Sequence, residues 1–194
     1  MALITTYQHF VGRLDIPNSS PTLASGEALA DNIDKYEEQY LRRILGYSLY
    51  ELLQTNIAAG SGIYHSLRTG AEYTDRAGNT EKWDGFSHVG FNPIANYIYV
   101  QHQSETFTNT TGVGERKANS ENMVMASPWA KIVQAWNEMV EFNRNLHEFL
   151  YANQTDYPDY LGLTYPPQNR IPPGCSITER NYQALFIKMN PYGI

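Results

Sequence analysis

The sequence predicts a mainly α-helical fold: a bundle-like helical core with a small β-hairpin, a long inter-helix loop and an extended C-terminal tail. Three observations predict it. Apolar residues recur at three- and four-residue spacing through residues 26–57 and again through 128–150. The period changes from helical to extended only around Arg76-Ala77-Gly78-Asn79. After Asn153 the chain turns to Tyr157-Pro158, Tyr165-Pro166-Pro167 and Ile171-Pro172-Pro173, a density of proline that resists helix and favours extended backbone.

Each element has its own signal. Residues 1–25 mix apolar pieces with Pro17 and Pro21 and read as an arm that ends at Ser25, a candidate helix cap. Ile33, Tyr36, Tyr40, Leu41, Ile44 and Leu45 form one stripe of a helix closed by Gly46. Ser48 followed by Glu51 has the capping-box spacing, so a second helix is expected to start there, bury Leu49, Leu52, Leu53 and Ile57, and close at Gly60. A helical turn around Ile63, Tyr64 and Leu67 precedes the hairpin near 71–85, which carries Tyr73 and Trp83; an isolated hairpin is marginal, so it must lie against the helices or pair with another chain. Asn92-Pro93 caps a third long helix with Ile94, Tyr97 and Ile98 on its core stripe. Residues 112–127, GVGERKANSENMVMAS, have no helical pattern and are long for a loop inside a compact domain, where such lengths are usually functional or disordered. Ser127-Pro128 opens the clearest helix, with Ile132, Val133, Trp136, Met139, Val140, Leu146, Phe149 and Leu150 inward and Lys131, Glu138, Glu141, Arg144 and Glu148 outward. Running to about residue 153 it would be roughly 39 Å long, the expected central spar. One more ordered piece is expected at Tyr182–Met189. The chain reads as a single domain: arm 1–25, helical core 26–153 and tail 154–194.

Composition narrows the function. A chain of 194 residues with 42% hydrophobic and 13% aromatic residues can bury a core, which excludes general disorder. The single cysteine, Cys175, excludes intramolecular disulfides and multi-cysteine zinc sites. No run reaches the roughly 18 apolar residues of a membrane span, and MALITTYQHFVGRLDI has no basic segment followed by an apolar core, so a cytosolic origin is expected. The Asn18, Asn109 and Asn153 glycosylation patterns carry no weight in that setting. A net charge of −6 argues against wrapping nucleic acid, and the doublets Arg42-Arg43 and Arg116-Lys117 make no basic footprint.

Catalytic and binding motifs are weak. No serine sits in a Gly-x-Ser-x-Gly elbow, and Cys175 lies in the prolyl tail. The five histidines are scattered; His102 and Glu105 are three apart, a pair that needs ligands from other helices to hold a metal. Gly112-Val113-Gly114-Glu115-Arg116-Lys117 lacks the spacing and following helix of a phosphate loop. Glu37 with Glu38 and Glu138 with Glu141 are the carboxylate pairs a glycan hydrolase would need, but both occupy polar registers, where solvated surface is expected. No catalytic residue, cofactor or metal is therefore expected. Flexible methionines and exposed aromatics typify protein interfaces, which makes Met123, Val124 and Met125 with Arg116 and Lys117 in the loop, and Phe186, Ile187, Tyr192 and Ile194 in the tail, the candidate contact residues.

The order of features has a likeness. YEEQYLRRILGYSLYELL (36–53), LRTGAEYTDRAGNTEKWDGF (67–86), NPIANYIYVQHQ (92–103), SENMVMAS leading to KIVQAWNEMVEFNRNLHEFL (131–150) and NPYGI resemble the head–tail connector, or adaptor, proteins of phages and prophages of Bacteroides-type bacteria. The resemblance spans about residues 30–155 plus the C-terminal stretch and rests on Leu45-Gly46, Trp83-Asp84-Gly85 and Ala135-Trp136-Asn137. It implies a virion protein of the neck, assembled in the host cytoplasm as a ring, commonly a dodecamer. Such a ring docks below the portal protein, extends the DNA channel without sequence-specific contacts and presents a surface to the next ring or tail component. It implies no membrane contact. The alternatives are a muramidase-like hydrolase built on a Glu pair, and a monomeric protein-binding module.

Overall fold

A computed structural model describes residues 4–16, 24–58, 60–88, 92–111, 114–117, 129–160 and 184–190, with 24–28, 106–111 and 114–117 described as backbone. It is mainly helical, as expected. The helices are α1 (Ala24–Leu45), α2 (Tyr47–Thr55), α3 (Ile63–Thr69), α4 (Pro93–Phe107) and α5 (Trp129–Ala152). Two antiparallel hairpins accompany them: β1 (Ala71–Thr74) with β2 (Thr80–Trp83), and β3 (Thr108–Thr111) with β4 (Gly114–Lys117).

The stripe on α1 does what its spacing dictates. Leu29, Ile33, Tyr36, Tyr40, Leu41, Ile44 and Leu45 are all buried. Gly46 then turns the corner with φ +79° and ψ 165°, a region essentially closed to other residues. Its N–H donates to Arg42 O at 3.2 Å, and its carbonyl accepts from Tyr50 N at 3.1 Å, so one residue both ends α1 and starts α2. This corrects the capping-box expectation: Ser48 lies inside α2, and Gly46 is the cap, with no side-chain bond. The helix also stops at Thr55 rather than Gly60, because the Asn56 side chain bonds back to Leu52 O at 2.8 Å and competes with further helix. Leu52 is only half-buried, and Tyr50 takes the inward position instead.

The first hairpin pairs Ala71 with Trp83 and Thr74 with Thr80. Its loop is one residue tighter than the expected tetrapeptide: Asp75 N donates to Asn79 O at 2.9 Å, leaving Arg76, Ala77 and Gly78 outside the pair. Asp75 Oδ1 accepts from the N–H groups of Ala77 and Asn79 at 2.8 and 2.7 Å, and these bonds hold its carboxyl below the usual carboxylate range. The hairpin lies against the helices of its own chain. Trp83 is fully buried, donates Nε1–H to Leu67 O at 2.9 Å, and packs between Phe86 and Phe149 at ring separations of 5.3 and 6.2 Å. Tyr73 meets the edge of Phe149 at 5.6 Å.

Asn92 caps α4 as its sequence predicts, its Oδ1 accepting from Ile94 N at 2.8 Å and Ala95 N at 3.2 Å. The central element, however, is the first half of α4 and not α5. Every residue from 92 to 100 is buried, which includes Ala95, Asn96, Tyr99 and Val100 outside the expected stripe. A helix apolar on all sides belongs inside, between α1 and α5, both of which pack on it. α5 has 24 residues, about 36 Å, and keeps a wetter outer face. In the 112–127 segment, β4 pairs Lys117 with Thr108 and Arg116 with Asn109, so part of the expected structureless loop is a hairpin strand. The remainder of that loop lies outside the described residues.

The N-terminal arm is docked on its own body. Ile4, Phe10, Leu14 and Ile16 are buried in the core through two single 3-10 turns, Tyr7–His9 and Gly12–Leu14.

Candidate interaction surface

Polar side chains of α1 and α5 hold two segments outside the main helices, the N-terminal arm and residues 184–190. On α1, Glu37 is 1% exposed, which corrects its reading as a solvated residue. Its two carboxylate oxygens accept from consecutive backbone amides of the arm, Ile4 N at 3.0 Å and Thr5 N at 2.6 Å. A buried carboxylate needs such donors to offset its desolvation. Arg13 adds an ion pair from the arm to Glu138 on α5.

On α5 the outer face seats residues 184–190. Leu185 is the buried anchor, 1% exposed. Its carbonyl accepts from Asn143 Nδ2 at 2.7 Å, while Asn143 Oδ1 accepts from the Tyr40 hydroxyl. Trp136 Nε1–H donates to Ile187 O at 2.8 Å, and Arg144 reaches Phe186 O at 3.4 Å. Asn137 closes a reciprocal pair with Met189, donating to its carbonyl at 3.1 Å and accepting from its N–H at 2.7 Å. Lys188 pairs with Glu141. The segment therefore runs antiparallel to α5 as a strap held mostly by its backbone.

The candidate contact residues fall differently from one another. Phe186 is half-buried on the core of its own chain, its ring edge-on to His147 at 6.3 Å, and thus acts first as an intramolecular anchor. Ile187 keeps its side chain 64% exposed. Arg116 and Lys117 stand on β4. Met123, Val124, Met125, Tyr192 and Ile194 lie outside the described residues. Sequence reasoning missed the roles of Asn137 and Asn143 and took Glu37 for a solvated carboxylate; an Asn at the buried position 143 of the α5 stripe was the available signal.

The two carboxylate pairs are engaged. Glu38 bonds Arg42 at 3.0 Å, and the hydrogen bond from Lys188 holds the Glu141 carboxyl below its usual range, opposite to what a general acid needs. Glu105, the partner weighed with His102, is instead held low by the Tyr36 hydroxyl and by Lys35, while His102 Nδ1 faces Asn32 Nδ2 at 2.9 Å. Two open clefts flank the strap: one of about 480 Å³ lined by Trp129, Val133, Asn137, Glu138, Glu141 and Lys188, and one of about 370 Å³ lined by Trp83, Asp84, Arg144, Asn145 and Glu148. Among the described residues no group of three or more His, Cys, Asp or Glu side chains converges, and no helix is long and apolar enough to cross a membrane.

Two half-buried or buried imidazoles give the fold an acid limit. Burial lowers the pKa of His102 and of His147, whose ring faces Tyr160 and Tyr151, with Glu148 opposing and Arg76 reinforcing the shift. The unfolded chain, with histidine near 6.5, then takes up protons before the folded one does. Stability from these groups is complete above pH 6.5 and is lost as pH falls below 6.5 toward the lowered folded-state values. The melting temperature should decline over that window, and the double variant His102→Gln, His147→Gln should flatten the decline in a pH series of thermal melts. Comparisons of the chain with family models, curated proteins and solved structures find no match.

Proposed function

We propose that the chain is a structural subunit of a phage neck, a head–tail connector that assembles as a ring under the portal and carries the DNA channel toward the tail. The observation that carries this reading is how the described polar side chains of the helical body are used. Glu37, Trp136, Asn137, Asn143 and Arg144 hold the backbone of two segments that lie outside the main helices. A helical body with seated terminal segments suits a protein whose work is packing against other protein, and the resemblance of its residue patterns to connector proteins points to the partner. The acidic balance, −6, suits a conduit, since walls of like charge do not retain DNA through phosphate contacts.

The monomeric binding module is the second reading, favoured by one observation: strap and arm both close on their own body. Native mass of the purified protein alone and mixed with portal separates the two. A ring of about twelve copies on the portal is the expected result for a connector, and a free monomer that ignores the portal would end that reading. Deleting Glu121–Ala126 should leave a folded protein by circular dichroism while infected cells accumulate separate heads and tails. Normal particles from that deletion would remove the loop from assembly. For a hydrolase, alanine at Glu138 and Glu141 would abolish peptidoglycan cleavage and leave particle assembly intact.

A further inference from the structure

The strap and its groove are two surfaces of one interface, joined only by the intervening chain. The groove reads the backbone of residues 185–189 through five side-chain hydrogen bonds and one buried leucine, Leu185. None of those contacts depends on covalent continuity with the helix that makes them. The same segment of a second copy presents identical groups, so exchange sacrifices no contact, which is why swapped elements are a low-cost route to assembly.

Tether length decides which arm can cross. The strap is connected to Tyr160 by the 23 residues 161–183. Fully extended, that stretch reaches at most about 80 Å. A domain of this chain length is roughly 40 Å across. The N-terminal arm is connected to α1 by only the seven residues 17–23, a reach of about 25 Å, which is less than one subunit. Of the two segments, the strap therefore has the longer reach.

We infer that the α5 groove is a docking site for residues 184–190 of a second copy of this chain, occupied from within when the protein is dilute and from a neighbour when copies stand side by side. The crossover follows from effective concentration: a connection of 23 residues holds its own strap at about millimolar, so micromolar protein closes on itself and adjacent subunits compete on equal terms. The inference rests on the connector reading only for where the copies meet.

Mixed cross-linking tests it. In a Cys175→Ser background, one population carries Lys188→Cys and a second, tagged population carries Glu141→Cys. The two replaced side chains form a half-exposed ion pair, so their loss costs the fold little. A short bismaleimide is added, and products are read on denaturing gels. The doubly substituted chain should cross-link within itself at about 10 µM, and the mixed populations should give the tagged heterodimer at about 1 mM, at least roughly tenfold above a Lys82→Cys with Glu141→Cys control. Lys82 is 67% exposed and reports random collision. A heterodimer yield no greater than that control, with the internal cross-link intact, would overturn exchange. Absence of the internal cross-link would overturn the seated strap itself. The two proposals fail separately: heterodimer without portal binding removes the connector and keeps exchange, and a ring on the portal without heterodimer does the reverse.

Discussion

Replacing Gly85 by alanine should cost the fold about 3–5 kcal/mol, combining the strain of a left-handed residue with that of an overfilled contact. Gly85 has φ +85°, and a Cβ built on it would stand 2.4 Å from Gly70 N, 2.4 Å from Thr69 C and 2.5 Å from Arg68 O. These are backbone atoms at the end of α3, so no side-chain rotation relieves them. Gly70 faces the same approach from the other side, its Cβ position 2.5 Å from Trp83 O. The two glycines let the chain leaving the hairpin cross the chain entering it, and the crossing is sealed by Ser87, whose N–H and hydroxyl both donate to Arg68 O at 2.9 Å. Opening it would loosen Trp83 from Leu67 and Phe149. Chemical denaturation should show the midpoint shifted with an unchanged slope, and the melting temperature should fall by about 6–20 °C for a chain of this size. A loss under 1 kcal/mol would mean that the crossing has room which this geometry denies.

The second large effect is expected from Asn143→Leu, at about 2–4 kcal/mol, because two buried hydrogen bonds are lost while their partners stay buried. Asn143 is 0% exposed and joins three parts of the chain: it sits on α5, accepts from Tyr40 on α1 and donates to Leu185 in the strap. Leucine has the same number and branching of side-chain heavy atoms and is slightly bulkier, so no cavity opens and the loss does not report one. The strap should also loosen selectively. Amide exchange at residues 185–189 should accelerate more than exchange in α4, whose bonds Asn143 does not make. Equal acceleration in both would assign Asn143 to general core packing and withdraw its role as the strap's anchor. The neighbouring Asn137 bonds the strap from a half-buried position and accordingly contributes less.

Local pattern was enough to find the helices and the first hairpin, since the stripe of α1, the Asn92 cap and the turn around Arg76–Asn79 are facts written within one or two turns of chain. Periodicity also placed Met139, Val140, Leu146, Phe149 and Leu150 in the core, where they lie. The burial of Glu37 is set by packing at a distance, because the amides that satisfy it belong to residues 32 and 33 positions away. Such packing also made Asn143 a hub and turned Phe186 inward, for both depend on a strap that returns across 42 positions to find α5. Hydrophobic spacing reports which face of an element avoids water. It does not report which distant backbone will arrive to satisfy a polar group on that face.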